Sequence, residues 1–294
     1  MKALISFFIL SFIIITSSAP SFPIFAILSV PIMKRVRDGK YKTTKERIEN
    51  TFIRWLQASG ADVIAIHTYT PKKDIEKILE KVNGVILPGN NIRTTVDSPY
   101  YKQAKFIYNK IIEMYNKSKG EVKVPLLAIG NDLTLLGVFA SEMDTFIEHS
   151  MQIWPHELKF VNVTQAKESI IYSELDDDDI RSLDFLYLIA SDLKYMIPFH
   201  LFENSFNILT HSFCLYGLNF VSSIQAKEFP IAAITYQPQS IAFEQNGQLE
   251  VNTGAKAIRM ARLMGDSLVN YARKNNRTMT LEEKKEYDYI RKTM

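Results

Sequence analysis

The first half of the chain alternates short apolar runs with amphipathic segments, and this alternation limits the folds that it can adopt. Apolar runs of strand length predict strands over 25–30, 62–66, 84–87 and 124–130. Apolar residues at helical spacing predict helices between them, over 45–59, 74–81 and 100–116, with Gly60 as the C-cap of the first. Because strands that alternate with helices form parallel sheets, we expect an α/β fold with a central, mostly parallel sheet and helices on both faces.

The second half of the chain is richer in strand patterns. Strands are predicted over 159–163, 206–210, 220–224 and 230–236. A final helix is predicted over 254–275, and its inward-facing residues are Ala257, Ile258, Ala261, Met264 and Leu268. The sequence contains no internal repeat and no low-complexity linker, so these elements are expected to join the first half in one domain.

Composition restricts the class of protein further. A chain of 294 residues, 47% hydrophobic and 23% charged, suits one large globular domain with a substantial core, or at most two small ones. The net charge of +3 and the lack of a dense Lys/Arg block argue against a nucleic-acid-binding protein. Cys214 is the single cysteine, which rules out an intramolecular disulfide, and we interpret it as a small packed residue.

The N-terminus has the pattern of a secretory signal peptide. Lys2 precedes an apolar run from residue 3 to 15, and small residues follow up to Ala19. The rival interpretation is a membrane anchor, but the run is shorter than the roughly 20 residues that span a bilayer. We therefore expect a signal peptide over 1–19, a domain over 22–278 and a charged tail over 279–294.

A signal peptide predicts entry into the secretory pathway. The mature protein is then expected outside the cell or in a lysosomal or vacuolar lumen, with no membrane span left after the signal is removed. Three Asn-x-Ser/Thr triplets agree with this route and predict glycosylation at Asn116, Asn162 and Asn276.

Three turns follow predicted parallel strands, at 89–90, 130–132 and 237–239. Ligands of open α/β sheets bind beyond the carboxyl ends of the strands, so we expect these turns to converge on one site. The turn after 124–130 joins a strand to a helix, which is where α/β hydrolytic enzymes display a cysteine or serine nucleophile. Here its tip is Asp132, and Gln237 stands where a catalytic histidine is expected.

The order and spacing of several segments give the chain a family resemblance. The matching segments lie between Pro23 and Asn276 and are 55–61, 83–89, 206–210, 226–231 and 270–276. In these segments the chain resembles the gamma-glutamyl hydrolases, which have the class I glutamine amidotransferase-like fold. The resemblance implies secreted or lysosomal/vacuolar enzymes that cleave gamma-linked glutamates from folate polyglutamates without a cofactor, and whose members often form dimers.

The resemblance also assigns roles to positions. The family uses a Gly-x-Cys-x-Gly nucleophile turn, a histidine base in a His-Pro-Glu segment and backbone N–H groups that hold the oxyanion. Carried over, the nucleophile position is Asp132, the base position is Gln237 and its orienting partner is Gln239. The residues implied to supply oxyanion donors or to line the substrate cleft are Gly89, Asn90, Leu133 and His200.

These substitutions predict a loss of peptidase activity. A carboxylate is a weak nucleophile toward an amide, and a glutamine cannot take up and return a proton near neutral pH. We interpret Asp132 as keeping the turn, since Asp tolerates left-handed backbone and its charge suits a helix N-terminus. The expected role is binding, of a gamma-glutamyl small molecule or a protein partner, or a structural role; the alternative is an active omega peptidase with altered catalytic residues.

Two further patterns offer alternatives. A relocated His211/Cys214 pair is three residues apart, which alone is a weak signal. The acidic run 176–179 lacks the alternating ligands and the glycine of a calcium loop, so we interpret it as the start of a helix and predict no metal site.

Overall fold

The structure is a computed structural model, and it describes residues 22–35, 41–89, 98–141, 147–148, 155–183, 188–189, 195–196, 202–213, 219–243 and 254–287. The predicted signal peptide therefore lies outside the described residues. None of the described helices is long and apolar enough to cross a membrane.

The strands are short, and most of them consist of apolar or β-branched residues. In chain order they are β1 (Ile24–Leu28), β2 (Val30–Arg35), β3 (Tyr41–Arg47), β4 (Asp62–Ile66), β5 (Gly84–Leu87), β6 (Leu126–Ile129), β7 (Ile147–Glu148), β8 (Pro155–His156), β9 (Lys159–Phe160), β10 (Leu188–Ile189), β11 (Tyr195–Met196), β12 (Phe206–Phe213), β13 (Asn219–Ala226) and β14 (Ile231–Ile234).

The helices fill most of the connections between these strands. They are α1 (Asn50–Ala58), α2 (Lys72–Leu79), α3 (Pro99–Lys117), α4 (Asp132–Ser141), α5 (Val163–Lys167), α6 (Asp177–Leu183), α7 (Pro238–Ile241), α8 (Ala255–Ala272) and α9 (Leu281–Glu286). Ser98 caps the N-terminus of α3, where its side chain accepts a hydrogen bond from the Tyr101 N–H, and proline occupies the first position of that helix.

Eight strands form one sheet in the order β4-β1-β5-β6-β14-β13-β12-β9. The pairs from β4 to β14 are parallel, and the pairs from β14 to β9 are antiparallel. The five parallel strands are buried on both faces, which explains their nearly continuous apolar sequences. The predicted α/β architecture, with a mostly parallel sheet between two helical layers, is confirmed.

Alternate residues of the parallel strands enter two separate cores. On one face, α2, α3 and α4 pack over side chains such as Ala26, Val85 and Ala128. On the other face, α1, α7 and α8 pack over the intervening residues, such as Ile27 and Ile86. Because side chains of a strand alternate between faces, a single apolar run supplies both layers.

The structure corrects several details of the prediction. The strand predicted over 159–163 ends at Phe160, because Asn162 caps α5 and Val163 begins that helix. The helix predicted over 45–59 begins only at Asn50, because residues 41–47 form β3 and pair with β2. Gly60 follows this helix with φ +83° and donates its N–H to the Gln57 carbonyl, as a helix C-terminus requires. Ile258 was predicted to face inward from the last helix and is instead 39% exposed, because the buried stripe of α8 runs through Ala257 and Ala261.

The described part of the predicted tail packs against the domain. Met279 is buried in the core under α2 and α3, and Thr280 caps α9 in a capping box with Glu283. Lys284 forms an ion pair with Asp62, at the start of β4. This segment thus joins the amino edge of the sheet.

Candidate functional site

The carboxyl ends of three adjacent strands bring the predicted site residues to one edge of the sheet. In the shared register, Ala128 of β6 pairs with Leu87 of β5 on one side and with Ala233 of β14 on the other. Ile129 pairs with Ile234, and both Asp132 and Gln237 follow that pair by three residues. The strand ends that carry Gly89, Asp132 and Gln237 therefore lie side by side, as expected.

The turn between β6 and α4 is closed by backbone hydrogen bonds. Gly130 has φ +65°, and its N–H donates to the Ile234 carbonyl at 2.7 Å. The Leu133 N–H donates to the Gly130 carbonyl at 3.1 Å. The sequence interpretation of left-handed backbone at Asp132 is wrong: Gly130 supplies it, and Lys119 is the only described non-glycine residue with positive φ. Asp132 is instead the first residue of α4, where a carboxylate suits the helix dipole.

The Asp132 carboxyl group is buried and bonded on one oxygen. Its side chain is 1% exposed. Oδ2 accepts a hydrogen bond from the Gly89 N–H at 3.1 Å and another from the Tyr100 hydroxyl. Oδ1 has no hydrogen-bond partner among the described residues. One oxygen is therefore fixed by two donors, whereas the other lacks a described partner.

Gly89 allows this close approach because it has no side chain. Its φ is +76°, and a Cβ atom there would lie 2.2 Å from the Ile129 carbonyl oxygen. Any other residue would clash with the β6 backbone and push the turn away from Asp132. The glycine therefore keeps the turn after β5 within hydrogen-bonding distance of the Asp132 carboxyl group.

Burial changes the protonation of this group. It raises the pKa of Asp132 from 3.8 to about 7, and the hydrogen bonds from Tyr100 and Gly89 oppose that rise. Burial and the neighbouring Asp132 charge raise the pKa of Tyr100 well above its ordinary value, so its hydroxyl remains a donor. Below about pH 7 the site therefore holds a neutral carboxylic acid.

The donors predicted for an oxyanion are engaged within the protein. The Gly89 N–H binds Asp132 Oδ2, and the Leu133 N–H binds the Gly130 carbonyl. Asn90 and His200 lie outside the described residues. The implied roles of all four residues stay predictions.

The two glutamines occupy different environments. Gln237 is half-buried at the N-cap of α7, and its Oε1 accepts a hydrogen bond from the Ser240 hydroxyl at 3.2 Å. Gln239 is 0% exposed, and neither its Oε1 nor its Nε2 has a partner among the described residues. The roles implied for these positions stay predictions as well.

Three tyrosines take part in polar contacts that sequence reasoning missed. Tyr100 bonds Asp132, whereas Tyr172 and Tyr236 share a hydroxyl–hydroxyl hydrogen bond in the opposite core. Tyr172 also donates to the Ser223 hydroxyl at 3.0 Å. All three tyrosines stand at positions where the hydrophobic pattern predicts core residues. The sequence could have indicated these contacts only through the general rule that a buried tyrosine hydroxyl forms a hydrogen bond.

The remaining candidates fall elsewhere. His211 bonds Asn219 through Nδ1 at 2.9 Å, and Cys214 lies outside the described residues. The acidic run begins α6 as predicted, with the Asp176 carboxylate accepting the Asp179 N–H at 2.7 Å. The three glycosylation acceptors, whose modification stays a prediction, are exposed: Asn116, Asn162 and Asn276.

Comparison with solved structures defines the class of fold. PurLQS from Thermotoga maritima matches with a TM-score of 0.53 at 11% identity, over 85% of this chain and 99% of that chain. A GMP synthase component from Thermoplasma acidophilum matches with the same TM-score and identity, over 85% of this chain and 94% of that chain. The chain therefore has the glutamine amidotransferase-like α/β fold.

Comparison with curated sequences shows which proteins the chain is similar to. No family model matches the chain. Gamma-glutamyl hydrolase B of Dictyostelium discoideum is 22% identical over 89% of this chain and 75% of its own length. The gamma-glutamyl hydrolase of Mus musculus is 25% identical over 78% of this chain and 72% of its own length. Together with the fold, these relationships support membership of the chain in the gamma-glutamyl hydrolase family.

Proposed function

We propose that this chain is a gamma-glutamyl hydrolase-family protein that binds its ligand without hydrolysing it, in the secretory or vacuolar lumen. One observation carries the proposal: the carboxyl group at the nucleophile position accepts the Gly89 N–H, the donor that the family resemblance assigns to the oxyanion. The Asp132 carboxyl group thus occupies a hydrogen-bond donor that an active member of the family would use to stabilise the oxyanion of the reaction.

The substitution at the nucleophile position removes the first chemical step. A cysteine hydrolase attacks through a thiolate that a neighbouring imidazole generates. Asp132 offers a carboxyl group that is neutral below about pH 7 and is held on Oδ2 by two donors. Neither form of this group attacks a stable amide readily.

The substitution at the base position removes the second step. Amide cleavage requires that the leaving amine receive a proton. A carboxamide such as that of Gln237 has no accessible protonation change near neutral pH, and here its oxygen accepts the Ser240 hydroxyl. Proton transfer to the leaving group therefore has no agent at this position.

A binding role agrees with the polar atoms that remain at the site. Asp132 Oδ1 and both amide atoms of Gln239 are buried without a partner in the described part of the chain. Buried polar groups are normally paired, so a polar ligand is one source of the missing hydrogen bonds. We favour a gamma-glutamyl small molecule as that ligand; a protein partner, including a second copy of the chain, is the alternative.

The proposal is tested by glutamate release from a gamma-glutamyl folate. The chain without residues 1–19 is expected to bind this compound in calorimetry and to release no glutamate. An Asp132→Cys/Gln237→His variant is expected to release it, because it gains a nucleophile and a base and frees the Gly89 N–H. The matched control, Asp132→Ala/Gln237→His, frees the same N–H without a nucleophile and is expected to stay inactive.

Glutamate release by the unmodified chain that disappears in Asp132→Ala would overturn the proposal. Asp132 would then be a working catalytic group, and the chain an omega peptidase with altered residues. If the unmodified chain does not bind the folate and the double variant is inactive, a protein partner or a structural role becomes the better hypothesis.

A further inference from the structure

The positive charge of the chain is concentrated in a two-stranded ribbon that is not part of the central sheet. After β1, strands β2 and β3 pair antiparallel as a separate two-stranded ribbon. Five of the 35 Lys and Arg residues lie in these strands, against one of the 32 Asp and Glu residues. The ribbon strands therefore carry a net charge of +4, and the rest of the chain carries −1.

The single acidic residue of the ribbon is used to hold it in place. Glu46 Oε2 accepts hydrogen bonds from the Ser29 hydroxyl at 2.7 Å and the Thr68 N–H at 3.3 Å, and lies 3.0 Å from His67 Nδ1. Its side chain is 14% exposed. These contacts attach β3 to the carboxyl ends of β1 and β4, so Glu46 does not neutralise the outer side of the ribbon.

The residues on either side of Glu46 are exposed. Lys45 is exposed, and the Arg47 side chain is 57% exposed. Arg47 forms an ion pair at 3.1 Å with Glu49, which lies beyond the ribbon and is itself 41% exposed. Such surface pairs contribute little, so Arg47 remains available to a stronger anion.

The strand register extends this basic side along the ribbon. Lys34 pairs with Lys42, Ile32 with Lys45 and Val30 with Arg47, whereas Glu46 pairs with Pro31. The register shifts by one residue of β3 between Ile32 and Met33, which brings Lys42 into step with Lys45 and Arg47. Counted along β2, the partners of Val30, Ile32 and Lys34 form one register set, which holds Arg47, Lys45, Lys42 and Lys34, and Glu46 belongs to the other.

We propose that this basic face of the β2–β3 ribbon binds a linear sulfated polysaccharide. A six-residue strand is about 20 Å long, which suits an extended polyanion better than a compact one. Sequence-tolerant binding of single-stranded nucleic acid depends on aromatic stacking, and Tyr41, the one aromatic residue of these strands, pairs with Arg35 in the other register set. No residue of β2 or β3 is a described hydrogen-bond partner of Asp132, so this proposal does not depend on the proposed function.

The test is the titration of the mature chain with a fluorescent heparin oligosaccharide. Affinity is expected to fall steeply from about 50 to about 200 mM salt, because binding releases counterions. A Lys42→Glu/Lys45→Glu variant is expected to bind at least tenfold more weakly. The control, Lys119→Glu/Lys123→Glu, makes the same charge change in the connection that enters β6 at the opposite edge, and is expected to stay within twofold of the unmodified chain.

Three outcomes would overturn the proposal. The first is an equal loss in the Lys119→Glu/Lys123→Glu control, which would indicate attraction by overall charge. The second is binding that does not respond to salt. The third is tighter binding, at equal anionic charge, of oligo-γ-glutamate, single-stranded DNA or anionic vesicles. If thermal unfolding shows that Lys42→Glu/Lys45→Glu is misfolded, Lys42→Ala/Lys45→Ala replaces it and is expected to retain the direction of the loss.

Discussion

Two groups of buried polar residues, one at each edge of the central sheet, differ in how completely they are hydrogen-bonded. At the amino edge, Asn83 Oδ1 accepts the Ile24 N–H at 2.8 Å, and its Nδ2 donates to Asn275 Oδ1 at 2.7 Å. Asn275 Nδ2 in turn donates to the carbonyls of Asn83 and Lys123, both at 3.0 Å. At the carboxyl edge, Asp132 and Gln239 are equally buried, yet three of their polar atoms have no partner among the described residues.

This difference separates a structural network from a candidate site. A satisfied network adds stability and fixes the chain, and at the amino edge it ties the end of α8 to β5. Unpaired buried polar atoms reduce stability, and native proteins accept that loss mainly where a group has another role. We therefore assign a stabilising role to the Asn83–Asn275 network and treat Asp132 and Gln239 as candidate functional residues.

The largest expected effect is a pH dependence that comes from Asp132. Its pKa is raised from 3.8 to about 7 by burial, so the folded state keeps a proton that the unfolded state loses. The free energy of unfolding is expected to fall as the pH rises through this window, and to level off above about pH 7. The full effect is on the order of 4 kcal/mol. Urea unfolding at a series of pH values measures it.

An Asp132→Asn variant is the control for this dependence. It keeps an acceptor for Gly89 and Tyr100 but cannot titrate, so the difference between the two proteins isolates Asp132 from the other ionisable groups. Tyr100→Phe removes a hydrogen bond that lowers the pKa of Asp132, and is expected to move the transition to higher pH. Identical pH profiles for the unmodified chain and Asp132→Asn would contradict the prediction.

The next largest effect is expected at the amino edge. Asn83→Ala leaves the Ile24 N–H and the Asn275 side chain without their partners, both buried. We expect a loss of about 3 kcal/mol in the free energy of unfolding, measured by denaturant titration. Asn116→Ala, at an exposed position in the last turn of α3, is the control and is expected to change it by less than about 0.5 kcal/mol. Equal effects would show that the network does not stabilise the fold.

The parallel half of the fold was predictable because strands that are buried on both faces are nearly continuous apolar runs in the sequence. The predicted strands 62–66 and 84–87 agree with β4 and β5, since each is an apolar run ended by a change to polar or turn residues. The β2–β3 ribbon was missed because its strands are basic and show no clear apolar alternation. The small net charge of +3 for the whole chain also gave no indication that these two strands are strongly basic.

The candidate site was predictable only as far as topology determines it. Strand ends of a parallel sheet meet at one edge, which is why Gly89, Asp132 and Gln237 could be grouped from the sequence. The Tyr100–Asp132 hydrogen bond depends on how α3 packs beside α4, and no local pattern reports that packing. Likewise, the sequence places Gln239 near the site but carries no signal that its side chain is fully buried.

The smallest expected effect is also the sharpest test of the comparison between the edges. If the Gln239 amide atoms lack partners in the free protein, Gln239→Leu removes a buried polar group at little loss of volume, and we expect a gain of about 1 kcal/mol in the free energy of unfolding. Gln237→Leu is the control, because that half-buried side chain accepts the Ser240 hydroxyl and its replacement is expected to be neutral or destabilising. A destabilised Gln239→Leu would mean that Gln239 is satisfied within the chain, and the carboxyl edge would then resemble the amino edge. Stabilisation of the free protein together with weaker ligand binding would instead identify Gln239 as a polar group that the ligand completes.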